Sequence, residues 1–202
     1  DYAVLMFFMW WIMMVAMMLP SAAPMILLFA AINRKQRDSG GPHVATSIFA
    51  LGYLAAWAGF SLVATLLQWG LERTGLLSPQ LVGTNVILGG VLLIVAGGYQ
   101  LTPFKHACLR LCRSPLAFMG TRWRHGARGA LRMGVQHGAY CVGCCWFLMG
   151  LLFFGGVMNL FWIVGLALFV LFEKTIPAGH WLGYATGVGL SVWGVTLLGV
   201  AG

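Results

Sequence analysis

The chain of 202 residues is 60% hydrophobic and 8% charged, with a mean hydropathy of +0.89. A soluble domain carries about 25% charged residues, so this composition excludes one and predicts an all-α, polytopic transmembrane helix bundle with about six spans, formed by residues 1–202 as a single domain. Membrane topology explains the net charge of +8 better than nucleic-acid binding does, because the cations lie in loops, so no nucleic-acid partner is expected.

The first predicted span covers roughly residues 3–32 and is rich in methionine. Met14, Met18 and Met25 share one helix face to within about 40°, so their thioether sulfurs can serve as soft metal ligands. Methionine also fills gaps in apolar cores, so simple packing is the alternative interpretation. The sequence begins at Asp1 without an initiator Met, so further residues are expected upstream.

The second and third predicted spans cover roughly residues 44–70 and 81–101, and the basic cytoplasmic loop 102–132 follows them. Within this loop, Cys108 and Cys112 form an i, i+4 pair on one helical face, surrounded by Lys and Arg. Such a pair suits the capture of an ion at the cytoplasmic mouth of the bundle. An amphipathic helix whose basic side chains contact anionic lipid headgroups is the alternative.

The fourth predicted span, roughly residues 133–154, carries the strongest candidate site. His137, Cys141 and Cys144 fall within an arc of about 60° on an α-helix, and Cys145 lies only slightly outside it. A thiol or imidazole gains nothing from facing lipid, so this face is expected to point into the protein. A rise of about 1.5 Å per residue places the cysteines near the middle of a membrane core about 30 Å thick.

The fifth and sixth predicted spans cover roughly residues 157–172 and 179–200. Glu173 and Lys174 follow the fifth span directly and are expected at the membrane interface. Small residues recur every four positions on the fourth and sixth spans, which predicts close contacts with neighbouring helices. These glycines are Gly134 and Gly138 on one span and Gly179, Gly183 and Gly187 on the other.

The Lys and Arg residues are divided unevenly among the predicted loops. The loops after spans one, three and five hold eleven of them, and the loop after span two holds only Arg73. Because positively charged loops stay in the cytoplasm, we expect the basic loops inside the cell and both ends of the given chain outside.

Three separated motifs stand out along the chain. They are Met13-Met14-Val-Ala-Met17-Met18-Leu-Pro20-Ser-Ala-Ala-Pro24-Met25, Tyr99-Gln-Leu-Thr-Pro103-Phe-Lys105-His-Ala-Cys108-Leu-Arg-Leu-Cys112-Arg113-Ser-Pro115, and His137-Gly-Ala-Tyr-Cys141-Val-Gly-Cys144-Cys145-Trp146. Together they resemble a bacterial family of predicted metal-binding integral membrane proteins. The resemblance implies a multi-helix protein of the bacterial inner membrane with a metal site, in which the ends predicted to lie outside the cell membrane would be periplasmic, and it specifies no activity.

The types of ligand indicate which metal ion is expected. Thiolate, thioether and imidazole groups together favour Cu(I), whereas zinc makes little use of Met. The predicted function is therefore the binding of a soft ion, copper, in the bundle core for transport or delivery to a partner. No nucleotide-binding motif is present, so we do not expect this chain to pump ions by itself, and no catalytic residue is assigned.

Two other functions fit the same residues. A structural or assembly subunit of a larger membrane complex could use His137 to ligate a haem or a chlorophyll-type pigment. A thiol–disulfide redox protein could use Cys144 with Cys145 or Cys108 with Cys112, although a vicinal disulfide is strained. All three functions place the chain in a lipid bilayer, and delivery or assembly also requires a protein partner.

Overall fold

The computed structural model describes residues 2–40, 43–76 and 86–201, and the secondary structure of these residues is entirely helical. The helices, in chain order, are α1 (Tyr2–Asp38), α2 (Thr46–Arg73), α3 (Val86–Gln100), α4 (Pro103–Arg113), α5 (Pro115–Arg122), α6 (Gly126–Gly150), α7 (Leu152–Gly155), α8 (Leu160–Thr175) and α9 (Gly179–Ala201). The all-α class predicted from composition is confirmed.

Helix length and apolarity are compatible with a membrane bundle. Among the described residues, α1, α2, α6 continued by α7, and α9 are each long and apolar enough to cross a bilayer. Helices α3 and α4 pass the same test only as a pair, and they are bent by 63° relative to each other. The structure therefore offers four or five membrane-length segments. Residues 81–85 of the predicted third span lie outside the described residues.

Helix α8 corresponds to the predicted fifth span and is the short member of the bundle. Its 16 residues rise about 24 Å, less than the roughly 30 Å of a hydrocarbon core. The helix begins after Asn159, whose side chain accepts a hydrogen bond from the Phe161 amide, and it ends just before Ile176 and Pro177. One side of its last turn, with Glu173 and Lys174, is buried, while Phe172 and Thr175 on the other side are exposed.

The bend between α3 and α4 follows from the local sequence. Thr102 has an extended backbone, and its hydroxyl accepts a hydrogen bond from the Lys105 amide at 3.3 Å. Pro103 has no N–H to continue the α3 hydrogen-bond ladder but fits the first turn of a new helix. A capped helix therefore starts here in a new direction, and the basic segment that follows forms α4 and α5.

Glycines bring two pairs of helices into close contact, as the small-residue patterns predicted. A Cβ atom on Gly134 of α6 would overlap the backbone carbonyl of Phe49 on α2, and one on Gly138 would meet Ala56. On α9, a Cβ atom at Gly187 would come within 3.0 Å of the Gly97 carbonyl on α3. The backbones of these helix pairs thus approach too closely for any larger residue.

We expect Gly134→Ala to destabilise the protein, because the added methyl group cannot fit between α6 and α2. Overpacking of this kind costs about 1–3 kcal/mol. Gly59→Ala on α2 is the matched control, since nothing lies within 4 Å of the position of its Cβ and Ala favours a helix. Thermal unfolding of both variants in detergent checks the prediction, which equal melting temperatures would contradict.

Candidate metal centre

Three cysteine thiols lie together on the buried face of α6. Cys141, Cys144 and Cys145 are each 1% exposed. The Sγ atoms of Cys144 and Cys145 donate hydrogen bonds to the backbone carbonyl of Cys141, at 3.1 Å and 3.0 Å. The helical period predicts this common face, and the structure confirms that it points into the protein.

The two cysteines of α4 lie against the same part of α6. The Cys112 side chain interacts with the Cys144 side chain. The Cys108 Sγ lies 3.1 Å from where a Cβ atom on Gly143 would be, so Gly143 leaves the space that Cys108 occupies. The bend at Thr102 thereby joins two cysteine groups that the sequence presents as separate sites.

Helix α1 contributes one thioether to this group. The Met18 Sδ lies 3.9 Å from the Cys145 Sγ, and Met18 is fully buried. Met14 belongs to the same apolar cluster as the cysteines. Met25 belongs to a second cluster, built around Phe29 and Phe49. The predicted methionine face is therefore divided, and only Met18 directly contacts a thiol.

Lys174 places a buried ammonium group beside the thiols. Its Nζ donates hydrogen bonds to the Cys141 Sγ at 3.0 Å and to the Ser21 Oγ at 3.2 Å, and the residue is 7% exposed. The expectation of a solvated Lys174 at the membrane interface is wrong, because its side chain lies on the buried face of the last turn of α8. A Lys at the end of a helix too short to cross a membrane is the signal that could have revealed it.

A tyrosine hydroxyl completes the polar surroundings of Cys141. The Tyr53 Oη lies 3.3 Å from the Cys141 Sγ and also donates a hydrogen bond to the Met18 carbonyl at 3.3 Å. Tyr53 is fully buried and links α1, α2 and α6 at this point. Sequence analysis did not identify this residue, because a tyrosine in an apolar helix gives no metal-specific signal.

His137 lies one helical turn from Cys141, in an aromatic pocket. Its ring centroid is 5.6 Å from that of Phe118, 5.8 Å from that of Tyr53 and 6.3 Å from that of Phe49. The ring is 2% exposed, and its Nδ1 has no hydrogen-bond partner. His137 is thus a buried imidazole next to the thiols and not among them.

A buried ion pair lies near the centre. Lys105 on α4 pairs with Glu173 on α8, and the two side chains are 0% and 1% exposed. A Cβ atom on Gly183 would lie 2.7 Å from the Glu173 Oε1, so the missing side chain of this α9 glycine makes room for the pair. Glu173 was also expected at the interface, and that expectation is wrong for the same reason as for Lys174.

The donor atoms are of the types that bind soft metal ions, but in this structure they do not surround a common ion position. Within residues 2–40, 43–76 and 86–200, no three His, Cys, Asp or Glu side chains are grouped so that they could hold a metal. The thiols hydrogen-bond to a carbonyl instead, and those bonds are lost when a thiol gives up its proton to bind a metal. Four buried cysteines and a thioether, with no carboxylate among them, fit Cu(I) in their chemistry.

A family model described as PpoB2, a copper chaperone, matches residues 7–197. No curated protein and no solved structure matches the chain. The matched range contains α1, α4, α6 and α8, so the whole candidate centre lies within it. The copper-related function that the sulfur ligands predicted is confirmed at the level of the family, and a chaperone in general implies a protein partner.

Proposed function

Because the chain belongs to the PpoB2 family of copper chaperones, we propose that it holds Cu(I) in the bundle core and delivers it to a partner protein. Cys112, Cys141, Cys144 and Cys145 are the source of thiolate ligands, two of which bind the ion at one time, and Met18 supplies a thioether. The observation that carries this proposal is the burial of sulfur side chains from α1, α4 and α6 in one cluster, in which the Met18 Sδ lies 3.9 Å from the Cys145 Sγ.

The chemistry of the group favours Cu(I) over harder ions. Thiolate and thioether ligands select soft ions, and a dry apolar cluster excludes the water and carboxylate ligands that harder ions prefer. Met18 next to Cys145 is especially informative, because zinc sites rarely use a thioether. A ligand set that mixes strong thiolates with a weaker thioether also suits a chaperone, which must release its ion.

Residues around the centre provide ligands for transfer. We assign Met14, Met25 and His137 to an exchange path on either side of the thiols, and Cys108 to the cytoplasmic end beside Cys112. His137 supports this assignment, because its Nδ1 is buried without a partner and an orphaned buried nitrogen is costly. Each of these side chains would bind the ion more weakly than the thiol group does.

We further propose that the chaperone is an integral protein of the bacterial inner membrane. Its four long apolar helices support this placement, as does the concentration of Lys and Arg at one end of the bundle. With the basic segments in the cytoplasm, both ends of the given chain are periplasmic. The bend before α4 then carries Cys108 and Cys112 from the cytoplasmic side toward the centre.

Elemental analysis of the detergent-purified protein tests the function. We expect the wild type, reconstituted with Cu(I) under reducing conditions, to carry near-stoichiometric copper, and the Cys141→Ser, Cys144→Ser double variant to carry almost none. Serine preserves size but supplies a hard oxygen in place of a soft sulfur. Circular dichroism and gel filtration must show that the variant is folded. Equal copper in both proteins, or none in either, would refute the proposed centre.

A further inference from the structure

The ammonium group of Lys174 lies in the bundle core without a carboxylate partner. Within the described residues, the ion pairs are Arg37 with Asp38 and Lys105 with Glu173, and Lys174 takes part in neither. Its Nζ instead contacts the Cys141 thiol and the Ser21 hydroxyl. Burying a charge without an opposite charge costs free energy, so we expect a negatively charged group to form beside the Lys174 ammonium.

The neighbouring groups show where that anion forms. The Cys141 thiol contacts the Lys174 ammonium directly, and the thiols of Cys144 and Cys145 hydrogen-bond to the backbone carbonyl of the same Cys141. The single carboxylate on the same stretch of α8, Glu173, is already paired with Lys105. The thiols are thus the groups that can supply the missing negative charge.

We propose that Lys174 is the fixed counter-cation of the loaded centre and makes it selective for a monovalent ion. This inference rests on the proposed copper-binding function. Cu(I) reacts with two thiols to give a dithiolate complex of net charge −1, and two protons pass to the buffer without any transfer of electrons. The ammonium of Lys174 brings the charge of that buried complex to zero.

A divalent ion gives a different charge balance at the same site. Zn(II) or Cd(II) with two thiolates forms a neutral complex and again releases two protons, so the charge of Lys174 stays unbalanced. For a site that offers two thiolates, charge neutrality therefore favours the monovalent ion. The hydrogen bonds hold this charge in place, because Ser21 itself donates to the Met18 carbonyl at 2.8 Å and positions the second acceptor of the ammonium.

The test compares Cu(I) and Cd(II) binding to the wild type and to Lys174→Leu in detergent. Leucine carries no charge and supplies no atom that could bind a metal ion. We expect the Cu(I) affinity, measured anaerobically against a chromogenic chelator, to fall by about tenfold or more, as for other partners of metal ligands. The Cd(II) affinity, followed by thiolate absorption, should stay within about threefold, because formation of a neutral complex needs no counter-cation.

Three further variants separate charge from shape. Lys174→Gln can still donate a hydrogen bond but has no charge, so it should behave like Lys174→Leu, and it carries the test if the Leu variant does not fold. Lys174→Arg keeps the charge and should keep the preference for Cu(I). Ser21→Ala is the matched control, since it removes the other contact of the ammonium and leaves its charge in place.

The possible outcomes distinguish this inference from the function on which it rests. Loss of Cu(I) affinity in both uncharged variants, with Cd(II) affinity retained, supports the role of Lys174. Equal losses for both ions, or no loss for either, overturn that role while leaving the copper centre intact. A wild type that fails to bind Cu(I) at all overturns the proposed function first.

Discussion

Lys105→Met is expected to lower the free energy of unfolding by about 3–5 kcal/mol, because it leaves the Glu173 carboxylate buried without its cation. The two side chains are 0% and 1% exposed, so water cannot replace the lost partner. Gly183 packs directly against the carboxylate, which leaves no space for solvent to enter from α9. Thermal unfolding in detergent measures the effect.

The double variant Lys105→Met, Glu173→Gln tests whether the protein is stabilised by the charges of the pair or by the packing of its two side chains. Removing both charges should recover most of the lost stability, since a buried ion pair replaced by neutral groups of similar size often costs little. Lys35→Met serves as the control, because Lys35 is exposed and surface substitutions usually change stability by less than about 0.5 kcal/mol. A double variant as unstable as the single one would show that the shape of the lysine, and not its charge, holds α4 on α8.

Cys112→Ala is expected to weaken Cu(I) binding by about a hundredfold or more. Loss of even an outer partner of a metal ligand commonly costs 10–100-fold, and Cys112 is buried in the same cluster as the three thiols of α6. Competition with a chromogenic Cu(I) chelator under anaerobic conditions gives the affinity.

Cys108→Ala is the matched control for Cys112→Ala. Both residues lie on the same face of α4 and both are buried, but Cys108 packs against Gly143, and we assign it to the exchange path and not to the centre. Its loss should change the affinity by less than about tenfold. If both variants bind Cu(I) as tightly as the wild type does, α4 contributes nothing to the centre and the ligands come from α6 and α1 alone.

The helical period was sufficient to predict the buried face of α6. His137, Cys141 and Cys144 recur at spacings of three and four residues, and all three are at most 2% exposed. The same period could not tell which helix packs on that face. Tyr53 and Lys174 contact Cys141 from α2 and α8, and these contacts depend on long-range packing that no local pattern records.

The position of α4 shows a second limit of the sequence. Thr102 and Pro103 identify the start of a new helix, but they do not fix the 63° bend that directs it toward α6. For this reason the sequence predicted Cys112 in a separate site at the cytoplasmic mouth of the bundle, and not beside the thiols of α6. Hydropathy likewise placed Glu173 and Lys174 outside the fifth span, because it treats every charge as solvated and cannot represent a charge neutralised inside the bundle.

The burial of the three α6 thiols has a consequence for the speed of copper exchange. Cys141, Cys144 and Cys145 are each 1% exposed, and copper passes between proteins when an incoming sulfur binds the ion before the old ligand departs. In the proposed centre, no incoming sulfur of another protein reaches the ion until the surrounding helices separate, a collective motion of microseconds to seconds. The rates of copper loading and release are then set by this opening of the helices and not by diffusion. Removal of the bound copper by a strong chelator requires the same opening. The protein therefore retains its ion through a kinetic barrier as well as through its affinity.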